Sequence, residues 1–543
     1  MAYNFADMFE HTVDTVPDRV GIACEGERRT LAQLEDAGNR LAHHLVAAGV
    51  QPGDHVGIYG LNSIQWVESL LGVLKARAVP VNINFRYVAD ELRYLFDNAD
   101  LVALFYDAQF GPLVADVRDE LPLLKTLVRM DDGSGTTDDL GATDLVDALA
   151  ANSPERDFGE RSGDDQVIIY TGGTTGMPKG VMWRSEDIFY ALAGGIDMAT
   201  RQRVPDEYHH ARQAPEKTPT VMMNIPPLMH GAAFVGTIGQ MLQGNTAVLL
   251  PKFDPYEVWR TIEREKVNAI LIVGDAMARP MIEAWEDMAA KGESPDISSL
   301  FAISSTAAIF SQTVKDRYLD TFPNLIITDS IGSTEGGFNG TIVVTKGEPP
   351  KTEGAKSGGL NVNAMNDTHV LDDDLKPVEP GSGVIGRLAR GGNIPLGYYK
   401  DTKKTAETFV IAADGKRYAI PGDFATIEAD GTITLLGRGS VCINTGGEKV
   451  YPEEVEQVLK AHPAVYDCLV VGITDERWGQ KVTAVVQPRE GASVELDELA
   501  AHAREHLAGY KVPRTLHLVD SIQRSPSGKP DYPWAKKLAE AAG

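Results

Sequence analysis

Short apolar runs alternate with segments of helical periodicity along most of this chain, and that alternation narrows the fold to parallel β-sheet with helical crossovers. His55–Tyr59 (HVGIY) and Leu101–Tyr106 (LVALFY) read as buried strands, and Ser63–Lys75 as a helix between them. Thr30–Ala48 carries apolar residues at helical spacing, which places Leu31, Leu34, Leu41, Leu45 and Val46 on one side. Asp131–Thr143, rich in Gly, Asp and Thr, reads as a surface loop. A second alternating block runs to about residue 345, with strands at Ala247–Leu250, Ala269–Val273, Leu300–Ser304 and Leu325–Asp329 and a helix at Pro255–Glu265.

The texture changes after Gly358. Up to Ile433, Gly and Pro are frequent and the segments short, which describes a small β-rich subdomain. Beyond Gly437-Arg438-Gly439-Ser440 comes a compact stretch with a helix at Pro452–Ala461, strands at Ala464–Gly472 and Gln480–Gln487, and a helix at Val494–Leu507. The expected architecture is therefore α/β: a large N-terminal domain, residues 1–437, of two α/β subdomains plus a β-rich one, then a small mobile α+β C-terminal domain, residues 438–543. A chain of 543 residues is too long for a single core, which agrees.

Between the strand-like Gln166–Tyr170 and a helix start at Ser185-Glu186-Asp187 lies YTGGTTGMPKG, Tyr170–Gly180. Glycines at 172, 173, 176 and 180 permit positive φ and close approach, Thr171, Thr174 and Thr175 add hydroxyls, and Lys179 adds a charge. That is equipment for a polyphosphate, although a mobile turn has the same composition. It is not a Walker A loop, because Pro178 precedes Lys179 and Gly180 follows it. A second candidate is Ser333-Thr334-Glu335. At the C-terminal edge of a parallel sheet Thr334 would bond phosphate and Glu335 would hold Mg²⁺; the alternative is a solvated loop.

Composition excludes several function classes. A net charge of −26 argues against nucleic acid as a general partner and against adhesion to an anionic membrane. No apolar run approaches the roughly 18 residues of a membrane span, and the N-terminus MAYNFADMFEH lacks the regions of a signal peptide. Three widely spaced cysteines, Cys24, Cys442 and Cys468, form no metal spacing and suit a reducing, cytoplasmic home.

The glycine loop resembles the phosphate loop of the adenylate-forming superfamily, which includes acyl-CoA synthetases, luciferases and the adenylation domains of peptide synthetases. Further stretches resemble that family's later motifs in the same order. Ile331-Gly332-Ser333-Thr334-Glu335 resembles YGxTE, with Ile331 where an aromatic normally lies against adenine. Asp423, in YAIPGDF, resembles the aspartate that accepts both ribose hydroxyls, and Arg438, in LLGRG, the arginine that shares the ribose. Lys529, in RSPSGKPDY, occupies the context of the catalytic lysine. VCINTGGEKVYPEEVE resembles the crossover into the C-terminal domain, with Ser440 at the hinge, Lys449 near the α-phosphate or carboxylate, and Asn444 where a lysine often stands. His230, in IPPLMHG, resembles the residue that guards the acyl carboxylate. Gly231, Ala232, Ala233, Gly236 and Gly239 keep the next stretch slim, either for tight helix packing or as room for a bulky acyl group beside Met277 and Met281.

Within the family the chain looks closest to actinobacterial ligases for fatty acids and steroid side-chain acids, through FRYVADELRYLFDNAD, SPERDFGER, GDAMARP, SIGSTEGGF and GYKVPR. The resemblance implies an acyl-CoA ligase with ATP, Mg²⁺ and CoA, and a small-molecule carboxylic acid as the other partner, with a homodimer as the candidate assembly. Two alternatives share the nucleotide motifs: an acyl-AMP ligase serving a carrier protein, and a nucleotide-binding protein without turnover.

Overall fold

The computed structural model describes residues 3–171, 177–197, 200–347, 360–365, 367–445, 448–475, 477–524 and 529–541. The chain divides into two compact units. The first comprises Met1–Leu271, Glu293–Leu300 and Asn393–Glu407; the second comprises Ile272–Gly292, Phe301–Gly392 and Thr408–Gly543.

In the first unit, strands Val79–Asn82, His55–Tyr59, Leu101–Asp107 and Thr126–Met130 run parallel, with Gln166–Thr171 added parallel beside Val79–Asn82. The core on this sheet gathers Val81, Ile83, Leu92, Leu95, Phe96, Leu104 and Tyr106. A second group of strands, Val20–Cys24, Thr246–Leu249, Val221–Asn224 and Ala269–Ile272, also pairs in parallel. The helix expected over Thr30–Ala48 spans Leu31–Ala47 and is opened by a capping box between Thr30 and Gln33. Leu31, Leu34, Leu41 and Leu45 are fully buried, but Val46 is 49% exposed, because the last turn carries it past the edge of the apolar stripe.

The glycine loop does not join a strand to a helix, as the sequence suggested. Lys179–Arg184 is a strand, antiparallel to Gln166–Thr171 with Thr171 opposite Lys179 and Tyr170 opposite Gly180. The helix Ser185–Leu192 begins only after that return strand. Gly180 is needed for a different reason from backbone freedom: a Cβ there would stand 2.7 Å from the Tyr170 ring and 2.8 Å from Ile168.

In the second unit, Ala302–Thr306 runs parallel to Ile326–Ser333, which turns back through Thr334-Glu335-Gly336 into antiparallel Gly337–Val344. The strand expected to end at Asp329 thus continues to Ser333. Short antiparallel strands follow, including Leu360–Ala364, Gly386–Arg390, Asp423–Ile427 and Ile433–Arg438, which form the β-rich part foreseen from composition. The last segment is a mixed module: Val465–Asp475 and Gly479–Pro488 form a long antiparallel pair, Thr515–Leu518 adds a parallel strand, and helices Pro452–Lys460, Leu496–His506 and Tyr532–Ala541 cover it. Among the described residues no helix is long and apolar enough to cross a membrane.

Candidate functional site

In the first unit the site begins with a hairpin tied down from behind. Asn82, buried at the end of Val79–Asn82, accepts from Tyr170 N at 2.9 Å and donates its amide to the Met229 carbonyl. Asn62 adds a second tie, accepting from Leu228 N at 2.7 Å and donating to Pro226 O at 3.2 Å. The strand that leads into the glycine loop and the IPPLMHG segment are therefore fixed by the same sheet. Neither asparagine carried a motif signal; what marks them is burial of both amide ends against backbone. Asn82→Ala leaves a buried N–H and a buried carbonyl unpaired, and we expect a loss of about 2–4 kcal/mol in denaturant unfolding.

His230 caps the helix Gly231–Leu242, its carbonyl accepting from Phe234 N at 3.0 Å. The slim face of that helix serves packing at two positions. A Cβ on Gly236 would stand 3.2 Å from Asn224 Oδ1, and one on Gly239 would stand 3.3 Å from the Ala193 carbonyl, so these two glycines are consumed by close approach and do not provide acyl space. Met277 and Met281 are buried on the helix Gly274–Ala290 of the second unit.

Lys179, the first residue of the return strand, donates its ammonium to Asp401 Oδ2. The other oxygen of Asp401 accepts from Lys404 N at 2.9 Å. Gly397-Tyr398 pairs with Lys179–Arg184, and Tyr399 N donates to Gly180 O at 2.8 Å, so the short strand that leads to Asp401 is stitched to Lys179–Arg184. Its carboxyl is held below the ordinary range, first by the Lys179 hydrogen bond and then by Lys404 N. Sequence reading missed Asp401 because the pair is far apart along the chain. Asp401→Asn is expected to leave Tm nearly unchanged in thermal unfolding, since a partly exposed pair contributes roughly 0–1 kcal/mol. Thr171 ends the incoming strand, whereas Gly172, Gly173, Thr174, Thr175 and Gly176 lie outside the described residues.

The second unit carries the remaining candidates. Asp423 and Arg438 face each other across an antiparallel pair, with Arg438 Nε donating to Asp423 Oδ1 at 3.2 Å. The Asp423 carboxylate, then Glu335 and Glu453, raise the Arg438 pKa against the effect of burial. Ser333 Oγ accepts from Gly336 N at 2.9 Å and closes the turn that presents Thr334 and Glu335. Lys529 keeps solvent access, yet protein crowds its ammonium; that desolvation, with repulsion from Arg438, lowers its pKa, and Glu335 and Asp423 partly oppose it. The approach to Lys529 is anchored: Arg524 grips Asp467 at 2.7 and 2.8 Å and forms an isolated bridge with Pro530. Lys449 lies with its ammonium 5.2 Å from the centre of the Phe424 ring, beside Asp423. Ser440 lies in the single turn Gly439–Val441.

Ile331 does not offer a face to adenine. It is 5% exposed and packs with Val362, Val370, Leu388, Ala425 and Ile433, because strand alternation turns it into the β-rich core. Glu453 was also unforeseen. Gly437, at φ +127°, has no Cβ, and the Glu453 carboxylate fills that space. Desolvation, then the Glu456 carboxylate, push its pKa up to about 8, with Arg438 opposing. A carboxyl whose pKa is raised on folding stabilises the fold fully below its unfolded value and loses that contribution as pH rises towards 8. Glu453→Gln is therefore expected to flatten the fall in Tm between about pH 5 and 8, measured against the parent.

Two sets of residues stand out: a hairpin with an anchored lysine, and an aspartate–arginine pair beside a glutamate and a crowded lysine. Comparison with known proteins identifies the family. The model of the AMP-binding enzyme family matches residues 9–399, and that of the AMP-binding enzyme C-terminal domain matches 454–529. A medium/long-chain-fatty-acid–CoA/3-oxocholest-4-en-26-oate–CoA ligase of Mycobacterium tuberculosis is 54% identical over 542 residues, covering 100% of this chain and 97% of the relative. A 3-oxocholest-4-en-26-oate–CoA ligase of Rhodococcus rhodochrous is 53% identical, covering 99% and 96%. Among solved structures, the anthranilate CoA ligase AuaEII in complex with anthranoyl-AMP superposes with TM-score 0.84 at 23% identity, covering 100% of this chain and 98% of that one. ATP-bound MatB from Rhodopseudomonas palustris gives 0.80 at 23%, covering 100% of both. The chain belongs to the AMP-binding enzyme family.

Proposed function

We propose that this protein is an AMP-forming acid–thiol ligase that converts a hydrophobic carboxylic acid, ATP and CoA into acyl-CoA, AMP and pyrophosphate. The observation that carries the reading is the convergence of Glu335, Asp423, Arg438 and Lys529, distant in sequence, into one electrostatic neighbourhood. The names of the relatives support a fatty acid or a steroid side-chain acid as substrate.

In this reading Asp423 accepts the ribose hydroxyls while Arg438 holds Asp423 in place and shares the sugar. Thr334 and the backbone of its turn take the α-phosphate, and Lys179 with the glycine loop takes the departing pyrophosphate. The acid's carboxylate attacks the α-phosphorus, and Lys529 balances the charge that develops on the phosphoryl oxygens. His230 and Lys449 stand at the acyl carboxylate and α-phosphate in this scheme. Glu335 and Thr334 offer an all-oxygen donor set, which suits Mg²⁺, and that ion would offset phosphate charge when bound. The segment from 438 to 543 then turns about Ser440, removing Lys529 so that the CoA thiol can attack the acyl carbonyl and displace AMP. A cytoplasmic location and a homodimer complete the proposal.

The test is incubation with acid, ATP and CoA followed by mass analysis across acids from medium-chain fatty acids to steroid side-chain acids. Acyl-CoA with AMP supports the reading. Acyl-AMP alone would reassign the protein to adenylate delivery, and absence of acid-dependent pyrophosphate exchange would leave only nucleotide binding.

A further inference from the structure

Helix Leu496–His506 brings His502, Glu505 and His506 onto one face, since residues three and four apart meet on a helix. One ring nitrogen from each histidine and one Glu505 carboxylate oxygen all lie within 4.8 Å of one another. His502 is oriented from behind. Its Nε2 lies 3.0 Å from the Val458 carbonyl, and a carbonyl only accepts, so Nε2 carries the proton and Nδ1 keeps its lone pair. An imidazole whose second nitrogen donates to a backbone carbonyl is the usual support of a metal-ligating histidine, because it fixes both tautomer and ring plane. The ring of His506 stands 5.3 Å from that of His502. His462, its ring 5.2 Å from that of His502, is already engaged: its Nδ1 accepts from Ala464 N at 3.3 Å and its Nε2 faces Glu498 at 3.4 Å.

We propose that His502, Glu505 and His506 form a three-ligand site for a borderline divalent transition-metal ion such as zinc, with water completing its coordination. Two imidazoles and one carboxylate are a donor set that zinc accepts, and one that magnesium, which takes oxygen ligands, does not compete for. With bonds of about 2.0–2.2 Å, tetrahedral ligand atoms stand roughly 3.3–3.6 Å apart. Glu505 and His506 are exposed, which leaves their side chains room to rotate towards that separation. Histidines at a helix C-terminus also favour the helix dipole, but the dipole accounts neither for the fixed His502 tautomer nor for a carboxylate beside it. Bound metal would fix the last turn of this helix and hold the His502 ring against the Val458 carbonyl, and by binding only the folded module would stabilise it independently of adenylation.

The experiment uses the full chain, stripped of metal and kept in millimolar magnesium. Zinc is titrated by calorimetry, and cobalt by its visible d–d absorbance. One equivalent should bind with a Kd on the order of micromolar and raise Tm, while Glu505→Gln and His506→Gln each weaken binding about tenfold or more. Both residues are exposed, so the variants keep their fold, which circular dichroism verifies. The double variant Glu505→Gln/His506→Gln decides the matter if His502→Ala does not fold. No saturable zinc binding, or equal binding by parent and double variant, overturns the site.

Discussion

Lys529→Ala is expected to lower acyl-adenylate formation about 10²–10³-fold, the range for removing one preorganised group that stabilises transition-state charge. Thioester formation from supplied acyl-AMP and CoA should change less than about tenfold, because the lysine has left by then in the proposed cycle. The two half-reactions are measured separately, by acid-dependent pyrophosphate exchange and by acyl-CoA release from purified adenylate. Equal losses in both would show that Lys529 serves the fold or general binding. The pH profile adds an independent check. Crowding and Arg438 lower the Lys529 pKa, so its charge is lost at a lower pH than that of a surface lysine. Adenylation should therefore fall as pH rises through that lowered value, and Lys529→Arg, whose charge persists, should carry the falling limb to higher pH.

Asp423→Asn is expected to reduce kcat/KM for ATP about 10–100-fold. Hydrogen bonds to a charged group contribute about 1.5–3 kcal/mol, and every 1.36 kcal/mol is roughly tenfold. The substitution also removes the main partner of Arg438, which burial alone would penalise. The informative measurement compares ATP with 2′-deoxy-ATP in parent and variant. If Asp423 reads the ribose, loss of the hydroxyl costs the parent much more than the variant, and the difference is their coupling energy. An unchanged penalty would leave Asp423 as a structural partner of Arg438 only.

The two predictions rest on residues whose visibility in the sequence differs. Lys529, Asp423 and Arg438 were singled out through the order of family-like motifs, since an isolated loop lysine or turn aspartate carries no mark of its own. Asn82 and Asp401 went unremarked because their importance is in what they bind. Asn82 holds Tyr170 N and the Met229 carbonyl, and Asp401 holds Lys179, in each case across a long stretch of chain. The return strand Lys179–Arg184 was overlooked because KGVMWR has only weak alternation, and its strand state is imposed by neighbours on both sides. Ile331 stood in a motif and was judged by its motif position, yet strand alternation gave it to the core.

By itself the sequence determined the α/β class, the β-rich stretch, the small terminal α+β module and the order of nucleotide-handling motifs. These are local properties: periodicity, turn chemistry and residue type are written within windows of a few turns or strands. Only the tertiary structure decided that Lys179–Arg184 returns as a strand beside Gln166–Thr171, that Gly236 and Gly239 are spent on packing, that Gly437 makes room for Glu453, and that Arg438 sits among Asp423, Glu335 and Lys529. Those outcomes depend on pairing and burial between residues remote in the chain, and no local window carries the free energy of a contact whose partner lies outside it.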